Sequence, residues 1–357
     1  MGKIVNKRHL IGLLWLGVLL VFCCFPLWGE EAWNFIVLGD CRPACFGAPI
    51  PPIYSKMLEE FNLIYPDLVC FTGDSVLIGN DPKQSRAGFE NFLKANRKLQ
   101  VPLYTVPGNH DYNNAVNIKL YHQLVNPRPY YSINHKDAHF IFLNTEIPGE
   151  VASIQGKQLE WLRKDLAKTA KNQVIFVFMH RAMFSALNPN FSPLLKDNFC
   201  NKTNRDLLAA LFSRYKVRAV FCAHEHLLDQ KIVDGVLYVI TGGAGAPLYR
   251  SPQHGGIYHY MLVEMRDGKA SVTPHLPEDL FWNRSGKGME ITYIGNSPMP
   301  LGGIPLPTGI NGNAVKIKSV HYPGSQPSFC VWQKAGKIYL KTYISPNDVL
   351  KINWRGR

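Results

Sequence analysis

Five short polar clusters in this 357-residue chain combine the residue types that hold metal ions and move protons. They are Gly39-Asp40-Cys41-Arg42, Gly73-Asp74, Gly108-Asn109-His110-Asp111, His180-Arg181 and His224-Glu225-His226. Carboxylate, carboxamide and imidazole together form a mixed oxygen and nitrogen donor set, which suits Mn, Fe or Zn better than Ca or Mg alone. A Gly before Asp or Asn lets the backbone turn sharply and aim a short side chain at a common point. Taken singly, each cluster has a plainer reading: Gly-Asp after a strand is usually a turn, His-x-His is more often surface or strand, and Gly-Asn-His-Asp can be a loop with an Asx turn. What argues against five separate turns is their joint order and their shared position directly after strand candidates.

The elements that must position them are legible as an alternation of apolar runs and amphipathic stretches between Trp33 and about His275. Strand candidates are Phe35 to Leu38, Leu68 to Phe71, Leu103 to Val106, Phe140 to Leu143, Val174 to Phe178, Ala219 to Cys222 and Leu237 to Ile240; several are β-branched or aromatic throughout, as strands buried on both faces are. Helix candidates at Ile53 to Tyr65, Leu159 to Ala167 and Arg205 to Tyr215 carry apolar residues on one face. Runs without helical period suggest hairpins, the clearest being Tyr258 to Met265, a turn at Arg266-Asp267-Gly268, and Lys269 to Thr273. The alternation predicts an α/β domain with helices outside a sheet core, and in such folds ligands gather at the carboxyl ends of the strands.

At these clusters the chain resembles the calcineurin-like metallophosphoesterase superfamily, which includes purple acid phosphatases and many bacterial phosphodiesterases. The resemblance covers residues 33 to about 275. It implies a four-layer α-β-β-α sandwich of two packed mixed sheets, with two divalent or trivalent ions (Mn, Fe or Zn) at the sheet ends and a bridging hydroxide as nucleophile. Carried over residue by residue, it implies Asp40 and His226 on the first metal, Asp74 bridging, and Asn109, His180 and His224 on the second. His110 is then the non-ligand that protonates the leaving oxygen or steadies the transition state, with Asp111 as its orienting partner. Two adjacent cations acidify a shared water and clamp the phosphoryl oxygens for in-line attack, and a His is suited to proton donation near neutral pH.

One position departs from the superfamily's pattern. Where Asp-x-His is usual, this chain has Asp40-Cys41-Arg42, and a guanidinium has no free lone pair with which to ligate. The first-metal site therefore lacks one nitrogen donor, and Arg42 is a candidate either for bidentate contact with a substrate phosphate or for a structural ion pair. Cys41 is a candidate thiolate ligand, and Arg181 is open between phosphate contact and loop bracing. The run Gly242-Gly243-Ala244-Gly245-Ala246 lacks the Lys-Ser/Thr ending of a P-loop and reads as a close-packed loop near the site. His254 is a candidate for the cleft, and His259 reads as structural.

Composition bounds the remaining possibilities. With 46% apolar residues the chain has ample material for a core and is not of the disordered class. The formal charge of +13 is uneven: residues 30 to 290 are nearly balanced, whereas residues 291 to 357 hold eight basic residues and one acid. A balanced catalytic region without a basic, aromatic-interleaved stripe excludes a dedicated nucleic-acid binder. Lys3, Lys7 and Arg8 precede an uncharged apolar run from Leu10 to Trp28, so residues 1 to 29 read as a signal peptide or a signal anchor. Either reading predicts an exported, periplasmic or extracellular protein. The six remaining cysteines are too sparse for a disulfide scaffold, with Cys41 and Cys45 close enough for a local bridge and Cys70 and Cys222 inside buried runs. Residues 30 to 290 read as the metallophosphoesterase domain. Residues 291 to 357 read as a Pro/Gly-rich linker, in which Pro298 to Gly309 breaks any element, followed by a small basic β-rich extension that could sit on a membrane surface. The expected activity is hydrolysis of a phosphate monoester or diester of a small molecule, lipid or nucleotide. The alternative is a catalytically weak or inactive cell-envelope binding protein that holds a phosphorylated ligand with one metal and Arg42.

Overall fold

The computed structural model describes residues 32–77, 79, 81–187, 202–310, 312–324 and 326–354. The leader at 1–29 lies outside them. In chain order the catalytic part runs β1 (Trp33–Leu38), α1 (Pro52–Ile64), β2 (Leu68–Phe71), α2 (Pro82–Asn96), β3 (Leu103–Thr105), α3 (Ala115–Leu124), β4 (Tyr131–His135), β5 (Ala138–Phe142) and α4 (Gly156–Lys168). It continues with β6 (Val174–Phe178), α5 (Lys202–Arg214), β7 (Ala219–Cys222), β8 (Leu228–Val233), β9 (Val236–Thr241), β10 (Tyr260–Arg266) and β11 (Lys269–His275). These strands form two mixed sheets, ordered β11-β10-β1-β2-β3 and β4-β5-β6-β7-β9-β8; in the first, β1, β2 and β3 run parallel and β10 and β11 pair antiparallel, and in the second the parallel run β5-β6-β7-β9 is flanked by antiparallel β4 and β8.

Period-two alternation in the strands explains how the sheets stack. Phe35, Val37 and Cys70 of the first sheet face Phe140, Phe176, Phe178 and Phe221 of the second in one apolar cluster. The Phe35 ring meets those of Phe140 and Phe176 edge-on at 5.0 Å each, contacts worth about 0.5–1.5 kcal/mol apiece beyond area burial. The intervening residues face outward. Ile36, Leu38 and Val69 pack with Met57, Phe61 and Phe89 of α1 and α2, while Ile141, Val177 and Val220 pack with Leu162, Leu208 and Phe212 of α4 and α5. The result is the four-layer α-β-β-α sandwich expected.

Two helices have no counterpart in the apolar pattern. α2 buries only Phe89 and Phe92 among its large apolar side chains, and α3 only Leu120 and Tyr121. Their starts are polar signals instead: Asp81 accepts from the Lys83 N–H, with Pro at the head of the helix, and Asn114 accepts from Val116 and Asn117.

The chain beyond β11 corrects the linker reading. It forms β12 (Leu280–Ser285), β13 (Gly288–Tyr293), β14 (Met299–Leu306), β15 (Val315–Ser319), β16 (Phe329–Lys334), β17 (Lys337–Ile344) and β18 (Asp348–Trp354), in antiparallel sheets ordered β12-β13-β18-β15 and β14-β17-β16. The Pro/Gly run is therefore a strand. Among the described residues β14 pairs only with β17, so it is an edge where Pro300 and Pro305 are tolerated. Its register shifts between Leu301 and Ile304, and there the backbone passes so close to α1 that a Cβ on Gly303 would run into the Asn62 carbonyl. Tyr65, just past α1, meets the Trp332 and Tyr339 rings at 4.9 and 5.5 Å. Leu301, Ile304, Leu340 and Ile352 share the apolar cluster of α1, so the extension is built onto the helix layer.

Candidate metal centre

Every expected cluster sits where a strand stops. Asp40 follows β1, Asp74 follows β2, Asn109 to Asp111 follow β3, His180 follows β6, and His224 to His226 follow β7. Asp40, Asp74 and His224 hold left-handed backbone at φ 63°, 57° and 69°. Such strain costs of order 1–3 kcal/mol per residue and persists only where neighbours over-determine it. Here the neighbours are the other loops: Asp40 N–H donates to Gly73 O at 3.0 Å, and His224 N–H donates to Asp40 Oδ2 at 2.8 Å. Close approach is also why Gly precedes Asn109, since a Cβ on Gly108 would strike the Asp74 carboxylate.

The six expected ligands converge. Asn109 Oδ1, His180 Nε2 and His224 Nδ1 lie 2.8–3.2 Å from one another, and Asp74 Oδ1 is 3.5 Å from His180 Nε2. Asp40 Oδ1 is 3.7 Å from His226 Nε2, and Asp40, Asp74 and His180 each offer an atom within 4.8 Å of the others. Second-layer bonds fix two of the imidazoles: His180 Nδ1–H donates to Thr72 O at 2.9 Å and His226 Nδ1–H to Pro247 O. That leaves each Nε2 lone pair facing the cluster, the usual orientation of metal-bound imidazoles.

The electrostatics fit a cation. Burial pushes His224 well below the ordinary histidine value and His226 down to about 4, so both are neutral with lone pairs to give. Burial, with Asp74 alongside, pushes Asp40 well up, and its Oδ1 is buried without a hydrogen-bond partner. Burial also opposes the charge on Asp74, but His180, His110 and Arg42 hold it down at about 2. A concentration of acceptors with one orphaned carboxylate oxygen is a donor set that lacks its positive partner, and a metal ion suits it.

The supporting residues depart from expectation in instructive ways. Asp111 does not orient His110. Its carboxylate accepts from the backbone N–H of Asp74, Ser75 and Gly108 at 2.8–3.3 Å and from Ser75 Oγ at 2.7 Å, so it clamps the β2 and β3 loops together. His110 instead faces Asp74: its N–H donates to Oδ1 at 2.9 Å, its Nε2 lies 3.8 Å from Oδ2, and its side chain is 30% exposed. Burial lowers its pKa. Arg42 approaches Asp74 through Nε at 3.5 Å. Arg181 is a brace, bound by Nε and Nη2 to both Glu146 oxygens at 2.8 and 2.7 Å. Cys41 turns into the core and its thiol donates to Ser75 O at 3.6 Å, with burial pushing its pKa up; both Cys41 and Cys45 are free thiols. His254 is exposed on a short 3-10 turn, and His259 is buried. The glycine-rich loop after β9 packs against the site, with Ala244 and Ala246 N–H donating to Gly39 and Asp40 O.

Two contributors had no place in the motif reading. Glu146 lies in a sixth polar stretch just after β5, so its strand-end position was a usable signal. Tyr249 comes from the loop beyond β9 and lies on the His226 ring at 4.1 Å and 26°; nothing local in the sequence marks it.

Comparison with known proteins agrees with this geometry. Residues 34–228 match the family model described as calcineurin-like phosphoesterase. Human tartrate-resistant acid phosphatase type 5 is 28% identical over 309 residues, covering 74% of this chain and 87% of that protein. A probable glycerophosphodiester phosphodiesterase of Arcobacter nitrofigilis is 26% identical over 265 residues, covering 70% and 86%. In fold, the chain is similar to a purple acid phosphatase from yellow lupin seeds, with a TM-score of 0.56 at 15% identity over 74% of this chain and about half (52%) of that one. The chain belongs to the calcineurin-like phosphoesterase family, the metallophosphoesterases that hydrolyse phosphoric esters.

Proposed function

We propose that this protein is an exported, metal-dependent phosphoesterase acting on a phosphate monoester or diester of a small molecule, lipid or nucleotide. The observation that carries the reading is the convergence of Asp40, Asp74, Asn109, His180, His224 and His226 around an orphaned carboxylate oxygen. Asp74, Asn109, His180 and His224 would hold one ion, and Asp40, Asp74 and His226 a second, with Mn, Fe or Zn the ions this donor set suits. Bound there, cations supply Lewis acidity that polarises phosphoryl oxygen and makes water reactive near neutral pH.

The chain's own residues supply the remainder. Asp111 holds the loops that present Asp74 and Asn109, and the carbonyls of Thr72 and Pro247 keep two imidazoles in the ligating tautomer. His110, at the solvent edge of the cluster, is placed to give a proton to the leaving oxygen. A non-catalytic binding protein would have no use for such a donor, which favours turnover.

Export rests on the leader-like residues 1–29, and a location in the periplasm or outside the cell follows from it. Residues 10–28 could anchor the protein. No helix among the described residues is long and apolar enough to cross a membrane. Lys316 and Lys318, exposed on β15 in alternation with buried Val315, Ile317 and Ser319, are the part of the basic extension suited to an anionic surface. The deciding experiment is a metal-replete assay with aryl phosphate and bis-aryl phosphate. Asn109→Ala should lose both metal and turnover, and unchanged activity in that variant would sink the ligand assignment.

A further inference from the structure

Two arginines stand beside the ligand cluster, and their surroundings separate them. Arg181 is occupied by its two-pronged pair with Glu146. Arg42 makes a single approach, Nε to Asp74 Oδ2 at 3.5 Å, that Nε has no hydrogen-bond partner, and the side chain remains 13% exposed. Its fork is therefore not consumed by a carboxylate.

Tyr249 stands next to it. The phenol ring lies on His226, the Tyr249 N–H donates to His226 O at 3.1 Å, and His226 is itself fixed by Pro247 O. The Tyr249 hydroxyl lies near enough to feel the charges of Asp40, Arg42 and Asp74, and Asp40 Oδ1 is itself 3.7 Å from the stacked His226 ring. A guanidinium only donates, so Arg42 leaves the phenol its own O–H proton to give. Among the described residues no acceptor takes that proton. A rigid ring thus places a free O–H donor and a partly free guanidinium side by side, next to the expected first-metal ligands Asp40 and His226.

Resting on the phosphoesterase reading, we propose that Arg42 and Tyr249 together bind a terminal oxygen of the substrate's phosphoryl group, and that the preferred substrate is a phosphate monoester. A monoester carries a third terminal oxygen and a second negative charge that a diester lacks. Paired neutral and cationic donors beyond the ligand cluster match that extra oxygen. The substitution of Arg for the family's usual His in Asp40-Cys41-Arg42 then exchanges a metal ligand for a phosphate ligand.

The test is titration of metal-replete protein with inorganic phosphate by calorimetry, alongside kcat/KM for p-nitrophenyl phosphate and bis(p-nitrophenyl) phosphate. Tyr249→Phe keeps the stack on His226 and removes only the O–H. It should weaken phosphate binding about tenfold and lower kcat/KM on the monoester by a similar factor, with the diester within about twofold and metal content unchanged. Arg42→Lys, which keeps the charge without the fork, should lose phosphate affinity to a similar extent. Unchanged phosphate affinity in Tyr249→Phe, or equal losses on both esters, would overturn the proposal. A wild-type protein that cleaves neither ester would defeat the phosphoesterase reading alone, because the phosphate titration still decides the clamp.

Discussion

The protein buries two polar clusters, and they resolve their burial in opposite ways. At the strand ends, Asp40, Asp74, Asn109, His180, His224 and His226 present mostly acceptors to one another. Where α1 meets β10, β11 and β13, the second cluster mixes donors with acceptors. Tyr260 O–H donates to Glu60 Oε2 at 3.1 Å, Tyr293 O–H donates to Ser297 O at 2.8 Å, and His275 Nδ1 lies 3.1 Å from the Tyr293 hydroxyl. Both clusters contain orphaned atoms, Asp40 Oδ1 in the first and Glu60 Oε1 and His275 Nε2 in the second. Burial and an unsatisfied atom therefore do not by themselves mark a metal site. What separates the clusters is the remedy open to each: the one carboxyl among hydroxyls becomes neutral by keeping its proton, whereas at the strand ends a proton on Asp40 still leaves Asp74 ionised beside lone-pair imidazoles, a donor set that a cation satisfies.

The distinction is broken most sharply by mutation. Asp74→Ala should abolish bound metal and reduce turnover to background, while Glu60→Gln should leave metal content at the wild-type level, both read by elemental analysis of purified protein. A Glu60→Gln protein that had lost its metal would erase the difference drawn above. Next in size is His110→Ala, which should retain metal but slow kcat by roughly two to four orders of magnitude, the range for a general acid. Chelation gives a smaller effect. Ligand-stabilised folding rises by about 2.7 kcal/mol at a hundredfold excess over Kd, so Tm should fall on removing metal from wild type and stay still in Asp74→Ala.

How much of this was legible depended on where each interaction's partner lies along the chain. β2, β6 and β7 begin and end where their apolar runs do, because strands covered on both faces leave no polar residue to blur the edge. α2 and α3 were obscured by short apolar contacts and marked only by their caps. β14 was hidden by Pro and Gly, which an edge strand against a helix tolerates and a central strand would not. At the site, the ligand types were written in the local motifs. The role of Asp111 was not, since its partners at Asp74 and Ser75 are backbone N–H groups 37 and 36 residues away that no side-chain pattern encodes. Tyr249 reaches His226 only through the path of β8 and β9, a relation that exists in the folded chain alone.

The smallest predicted effect tests the second cluster from within. Burial pushes the Glu60 carboxyl up to about 9 against 4.5 for an exposed glutamate, with Asp279 and Glu59 adding to the rise and Tyr260 and Lys56 opposing it. The unfolded chain therefore gives up this proton near pH 4.5 while the folded chain keeps it, and stability attributable to Glu60 is present below pH 4.5 and lost as pH rises toward 9. Glu60→Gln removes the titration and keeps a carbonyl oxygen for the Tyr260 hydroxyl. The wild type should lose on the order of 2 kcal/mol between pH 5 and pH 8 that the variant retains, a figure discounted for incomplete burial. Urea unfolding at the two pH values would show it, as a variant more stable than wild type at pH 8 and near parity at pH 5. Equal pH dependence in the two proteins would mean that Glu60 is ionised in the fold, and the contrast between a cluster that keeps a proton and one that binds a cation would fail at its protonated half.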